Sequence, residues 1–168
     1  MEIVEKTSQP KTAKLVQNAF ESKLRNDFGI DFDKLQAAIS ILPQNYTFEV
    51  EKTICRIFEI RKTGSKVSKV SLQFPEGLLV FSTLIADIIN KFADVDCLIL
   101  GDVTYGACCV DDLASKALDC DFIVHYGHSC LVPIQELSIS NALYVFVEID
   151  IDIDHIVQSI VFNFGENP

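Results

Sequence analysis

The chain has 168 residues, 49% of them hydrophobic, which is enough to bury one domain-sized core and hardly two. Its formal net charge of −10 is unevenly divided: residues 1–66 carry 11 Lys/Arg against 9 Asp/Glu, and residues 67–168 carry 3 against 15. The second segment has the wrong sign for a phosphate backbone and no apolar run reaches spanning length, so neither nucleic acid nor a membrane is an expected partner.

Residues 1–12 are charged and polar, without the pattern of a secretory leader, and the chain reads as a soluble cytoplasmic protein. In that compartment its six cysteines are reduced thiols, metal ligands or reactive groups rather than a disulfide framework. Residues 1–66 form a helical lead-in, polar and poorly ordered up to about residue 14. Periodicity predicts a short helix over 32–42, stopped by Pro43-Gln-Asn45. Another is expected over 48–62, with Val50, Ile54, Ile57 and Ile60 on one side, before the turn-like Thr63-Gly-Ser65. No internal repeat or low-complexity tract interrupts the chain.

From residue 67 the pattern changes. Residues 70–74, 97–100, 122–124 and 143–147 are short, apolar and partly β-branched, as strands buried on both faces require. Between the first two, Leu78, Phe81, Leu84, Ile85, Ile88, Ile89 and Phe92 recur at helical spacing over 77–92. A second helix follows Cys109, with Asp111 and Asp112 in its first turn, where carboxylates favour the positive end of the helix dipole. The C-terminal stretch around His155 is amphipathic. This order, β-α-β-α-β-loop-β-α, implies an α/β fold: a Rossmann-like parallel four-stranded sheet with right-handed crossovers, flanked by helices and preceded by the helical extension. Ligands bind such sheets beyond the carboxyl ends of the strands. The segments 73–77, 101–109 and 125–130 follow those ends and are expected to converge on one edge.

The thiols divide by position. Cys97 inside a strand, Cys55 on a helix and Cys120 just before a strand read as small buried hydrophobes. Cys108 and Cys109 instead follow a Tyr-Gly-Ala turn and precede a helix N-terminus, where backbone N–H groups favour the thiolate that binds metal or attacks electrophiles. Neighbouring side chains diverge, so one of the pair ligates and the other packs. His128 and Cys130 on the next loop leave open a zinc site of Cys108, His128, Cys130 and one further ligand, although the paired Cys-x-x-Cys knuckles of a structural zinc site are missing. His125, at a strand end, is expected to be structural, and His155 to be a surface or packing residue. On the residues alone, zinc ligand, nucleophile and cluster ligand all stand.

Four segments carry a resemblance: Leu72-Gln-Phe-Pro-Glu-Gly-Leu-Leu79, Gly101-Asp-Val-Thr-Tyr-Gly-Ala-Cys-Cys-Val-Asp-Asp112, Asp121-Phe-Ile-Val-His-Tyr-Gly-His-Ser-Cys-Leu-Val-Pro-Ile134 and Leu143-Tyr-Val-Phe-Val147. In this order they resemble the diphthamide-synthesis family, on its eukaryotic-type first-subunit branch. Leu35-Gln-Ala-Ala-Ile39 and Leu42-Pro-Gln-Asn-Tyr46 match the lead-in of that branch, so the resemblance runs over about residues 33–165.

The resemblance implies a non-classical radical enzyme with S-adenosylmethionine as cosubstrate. Members hold a [4Fe-4S] cluster by three cysteines and leave one iron free for the cosubstrate. Reductive cleavage gives methylthioadenosine and a 3-amino-3-carboxypropyl radical, which adds to a histidine imidazole of translation elongation factor 2 in the first step of diphthamide synthesis. The implied partners are a paralogous second subunit, forming a heterodimer, and a small iron-binding electron-donor protein. By motif position Cys108 is the cluster ligand, Cys109 a packing neighbour and Cys130 a structural residue. Tyr105, Gly106 and Ala107 would shape the turn, Asp102 would orient it, and Gln73, Glu76 and His128 would line the cosubstrate pocket. Members have three homologous domains, each donating one cluster cysteine; residues 67–168 match the first, and the other two ligands have no counterpart in this sequence. Since a lone Cys108 does not hold a stable tetranuclear cluster, the expectation is a truncated chain inactive alone, or a short product keeping only partner or metal binding.

Overall fold

The computed structural model describes residues 11–101, 109–127 and 133–165. Three helices precede the main sheet: α1 (Lys11–Asn26), α2 (Phe32–Ile39) and α3 (Val50–Lys62), with a two-residue strand β1 (Tyr46–Thr47) between the last two. Asp31 starts α2 by accepting the Lys34 N–H at 3.2 Å, the usual work of an N-cap carboxylate. Helix α1 is not among the elements expected from the sequence. Its Leu24 is fully buried, and the polar residues around it mask the helical period.

The sheet consists of β2 (Lys69–Gln73), β3 (Asp96–Leu100), β4 (Phe122–Gly127) and β5 (Ala142–Phe146), all parallel, in the order β3-β2-β4-β5. The first strand of the sheet is therefore interior, with the second on one side of it and the third and fourth on the other. This is the flavodoxin-like variant of the doubly wound layer, whose topological switch falls between β2 and β4. The crossover from β2 to β3 runs through a 3-10 helix (Glu76–Phe81) and α4 (Ser82–Ala93), and that from β3 to β4 through α5 (Asp112–Ala117). A short 3-10 turn (Ile134–Glu136) precedes β5, after which β6 (Glu148–Ile149) pairs antiparallel with β1 and α6 (Ile153–Phe164) follows.

Two expected elements change shape. The single helix over 77–92 is split, because the chain enters it from Pro75 with the Leu78 N–H on the Pro75 carbonyl at 2.9 Å, a three-residue closure. The Ser82 hydroxyl donates to the Leu79 carbonyl at 2.6 Å at the point where α4 begins. Strand β4 is longer than expected. His125, Tyr126 and Gly127, assigned to a loop by their polarity, stay in the ladder, with His125 paired to Gln73 on one side and to Tyr144 on the other.

Alternation along the strands sends Val70, Leu72, Phe74, Phe122, Val124 and Tyr126 to one face. There they join Ile54, Ile57 and Ile60 of α3, Ile85, Ile88 and Ile89 of α4, and Leu24 and Leu35 of the lead-in, in one buried cluster. Phe74 and Tyr126 stack with ring centroids 4.3 Å apart. Burial drives the Tyr126 hydroxyl's pKa upward. On the opposite face a smaller cluster of Leu100, Cys120, Ile123 and Ile139 packs around the region of α5. At the amino-terminal edge, the Arg61 guanidinium donates to the carbonyls of Val67, Ala93 and Asp94 at 2.6–2.9 Å, tying the end of α3 to the end of α4. Among the described residues no helix is long and apolar enough to cross a membrane.

Candidate functional site

The parallel register places the carboxyl ends of β2, β3 and β4 at one edge, as their pattern predicts. Leu100 pairs with Gln73, Gln73 with His125, and His125 with Tyr144, so these residues form one row across the sheet. Parallel partners point to the same face, here the one occupied by Leu100 and Ile123 and away from α3 and α4. Gln73 and His125 stand on either side of the topological switch and are almost wholly buried, at 1% and 2% exposure.

A buried amide must be satisfied, and Gln73 meets that demand by gripping three separate groups. Its Nε2 donates to the Cys109 carbonyl at 2.7 Å, and its Oε1 accepts the Asp111 N–H at 3.0 Å. The same Oε1 lies 3.0 Å from His125 Nδ1. Because that oxygen only accepts, Nδ1 carries the proton in this contact, which sets the imidazole tautomer. The ring of Tyr144 stands edge-on to His125 at 5.7 Å.

Two residues earlier on the same face, the Ser71 and Ser115 hydroxyls meet at 2.7 Å, and Ser115 Oγ also donates to the Asp111 carbonyl at 3.0 Å. Strand β2 thus holds the start of α5 at two levels. Asp111 caps that helix by accepting the Ala114 N–H at 3.1 Å, and Asp112 accepts the Ser138 amide. With only the residues Asp112–Ala117 in α5 and two carboxylates already at its start, the positive end of its dipole is answered by Asp111 and Asp112.

Close approach defines the neighbouring loop. Gly127 ends β4 at φ +118°, and a Cβ built there would lie 3.3 Å from Pro75 Cγ. The Phe74-Pro75 turn therefore lies against the end of β4, which brings the segment after β2 to the edge where the β4 segment ends.

The residues singled out in the sequence are distributed as follows. Gln73 lies at the switch, with its amide committed to the backbone of Cys109 and Asp111 and to His125. Glu76 opens the 3-10 helix and is exposed. Asp102, Tyr105, Gly106, Ala107, Cys108, His128 and Cys130 lie outside the described residues. Cys109 is partly buried. His125 is buried with its Nδ1 against Gln73, and His155 is exposed near the start of α6. Ser71, Ser115 and Tyr144 were not anticipated; Asp111, expected in the first turn of the helix after Cys109, is its N-cap. The available signal was the polar Ser71 and Gln73 alternating with Val70, Leu72 and Phe74 in a buried strand.

The remaining described thiols belong to the core. Burial pushes Cys55 up to about 11 and Cys97 up to about 12, and it also raises Cys120. Among the described residues no three His, Cys, Asp or Glu side chains come together as a metal-holding group. The described part of the chain therefore does not by itself fit a four-iron cluster, which needs several thiolates on one centre.

Comparison with known proteins follows the same motifs. The family model of diphthamide synthesis proteins matches residues 74–168. The chain is 55% identical over 132 residues to 2-(3-amino-3-carboxypropyl)histidine synthase subunit 1 of Gallus gallus, a match covering 79% of this chain and 31% of that protein. To the protein of the same description in Saccharomyces cerevisiae it is 53% identical over 131 residues, covering 78% and 29%. The chain thus spans about a third of the length of the relatives it matches. Its fold is shared with Dph2 from Pyrococcus horikoshii, solved with a 4Fe-4S cluster, at a TM-score of 0.53 and 20% identity over 73% of this chain and 34% of that one.

Proposed function

The chain belongs to the diphthamide synthesis protein family, and from that premise we propose that it is the first-domain part of a 2-(3-amino-3-carboxypropyl)histidine synthase. The reaction is transfer of the 3-amino-3-carboxypropyl group from S-adenosylmethionine to a histidine of translation elongation factor 2, in the cytoplasm. A [4Fe-4S] cluster, when bound, supplies the electron that cleaves the sulfonium. This chain's share is one cluster ligand, Cys108; the other ligands come from domains outside this sequence, and a second subunit and a small iron-binding electron donor complete the assembly.

One observation carries the reading. The three strand ends that lead into the family's motifs meet at one sheet edge, and the segment just after Cys108 is fastened there by Gln73. The transfer chemistry is one that a single domain does not complete, since the described thiols other than Cys109 are core residues with raised pKa values. On the shared loop edge we assign Glu76 and His128 to line the cosubstrate pocket, with Tyr105 and Gly106 shaping the turn before Cys108 and Asp102 orienting it.

The test is a chimera in which the matched third of the Gallus gallus relative is replaced by this chain, reconstituted anaerobically with iron and sulfide alongside the second subunit and electron donor. It should transfer label from S-adenosylmethionine to elongation factor 2, whereas this chain alone should transfer none. A folded chimera without transfer, or turnover by this chain alone, overturns the proposal.

A further inference from the structure

We infer that Gln73 is a positioning residue for the connection between β3 and α5, acting through the Cys109 carbonyl and the Asp111 amide. Its position is unusual for a fastening group. It is the last residue of an interior strand, beside the topological switch, and its amide is 1% exposed. From there it holds the backbone on both sides of Val110, with Nε2 on the Cys109 carbonyl at 2.7 Å and Oε1 under the Asp111 N–H at 3.0 Å. His125 Nδ1, 3.0 Å from the same oxygen, pins the amide from the neighbouring strand. The Ser71–Ser115 contact at 2.7 Å fixes α5 a turn further on, so the root of the connection cannot slide along β2 without breaking both attachments. Only the link to catalysis rests on the proposed function: Cys108 is the residue next to Cys109, so the anchor that places Cys109 sets the origin of the ligand-bearing residue. A fixed origin matters because misplacing a reacting group by about 1 Å costs on the order of a hundredfold in rate.

Amide hydrogen exchange at Asp111 and iodoacetamide labelling of Cys109, both read by peptide mass spectrometry on the 168-residue chain, test the anchor. Cys55 and Cys97 serve as internal references. Gln73→Leu leaves a buried imidazole without this partner, so the paired variant Gln73→Leu with His125→Phe is made beside it. The pair avoids stranding the imidazole, so what it still loses is the bonds of the Cys109 carbonyl and the Asp111 amide to residue 73. In the paired variant Asp111 should exchange about tenfold faster, the equivalent of a lost hydrogen bond or two, and Cys109 should label faster while the references do not. Gln73→Glu keeps an oxygen for Asp111 and loses the donor to Cys109, so exchange at Asp111 should stay near the parent rate while Cys109 labelling still rises. A folded paired variant with parent rates at both positions overturns the inference. Failure of the cluster reading shows separately, as a Cys108→Ala chimera that keeps its iron, and leaves the exchange result standing.

Discussion

The Asp121 carboxylate accepts the Ser68 N–H at 2.7 Å, joining the turn before β4 to the turn before β2. The Ser68 hydroxyl and the Lys69 N–H reach the same oxygen at 3.0 Å each. Burial pushes this carboxyl up, but the two amides, the hydroxyl and the Lys66 charge together outweigh it and hold it below its ordinary value. A lowered folded-state pKa contributes stability that is fully present above the unfolded value of about 4 and is lost as pH falls through the folded one. Asp121→Asn should cost about 1–2 kcal/mol at pH 7, a fall of roughly 3–8 °C in melting temperature. The variant should also lose less on going from pH 5 to pH 3 than the parent does. Thermal melts at the three pH values check both statements, and an equal acid sensitivity in the two proteins would contradict the assigned role.

Gly127 offers a test of the close approach at the site edge. Alanine there must adopt φ +118° and bring a Cβ to 3.3 Å from Pro75 Cγ. The backbone conformation alone costs about 1–3 kcal/mol for a residue with a side chain. Gly127→Ala should therefore melt several degrees lower, whereas Gly77→Ala, with nothing within 4 Å and no positive φ, should stay close to the parent. Equal melting temperatures for the two variants would remove the packing argument.

The sheet was legible because strands buried on both faces write themselves as apolar runs, and Val70 to Phe74 or Phe122 to Val124 have few other readings. Strand order could be anticipated only as a class. That β4 and not β3 carries the next outward neighbour depends on contacts between distant segments. Helix α1 escaped notice because among its residues 18–26 only Leu24 is buried, and β1 and β6 because two residues show no period. At the site, the strand pattern placed the carboxyl ends of β2, β3 and β4 at one edge but did not show what Gln73 does there. Its bonds to Cys109 and Asp111 bridge 36 and 38 residues and end on backbone atoms, which leave no trace in side-chain identity.

Thiol chemistry should follow burial. At pH 8, a thiol at about 12 is ionised to roughly one part in ten thousand, and one at about 11 to roughly one in a thousand. Iodoacetamide should accordingly modify Cys109, which lies at the sheet edge and is partly buried, well before Cys97 and Cys55. The order is read by mapping alkylated peptides over time on the native chain. Labelling of Cys97 ahead of Cys109 would refute it.

Helix α6 holds little of the fold together. None of its residues is buried, and Ile153, Ile156, Ile160 and Phe164, which share one side of the helix, are 66%, 42%, 51% and 69% exposed. A contiguous apolar face of that kind binds apolar dyes and promotes association. Ending the chain after Asp150 should shift the melting temperature by less than about 2 °C. Replacing Ile156 and Ile160 with lysine should lower dye fluorescence and concentration-dependent association together. A large loss of stability on truncation would mean that α6 packs more firmly than its exposure shows.

Cys108 and Cys109 are adjacent in the chain, so comparing their alanine variants separates loss of a ligand from a general disturbance of the connection. A cluster held by three thiolates loses one of its three protein ligands when Cys108 goes, and the whole cluster becomes labile. In the chimera with the Gallus gallus relative, Cys108→Ala should therefore lose most of the cluster iron and its visible absorbance, while Cys109→Ala keeps most of both. The Cys109 carbonyl, which Gln73 holds at 2.7 Å, survives either substitution, so the anchor of the connection is the same in both variants. Equal iron content in the two would count against Cys108 as the ligand. Stoichiometric zinc that depends on His128 and Cys130 would instead favour a zinc site, which the radical-enzyme reading does not produce.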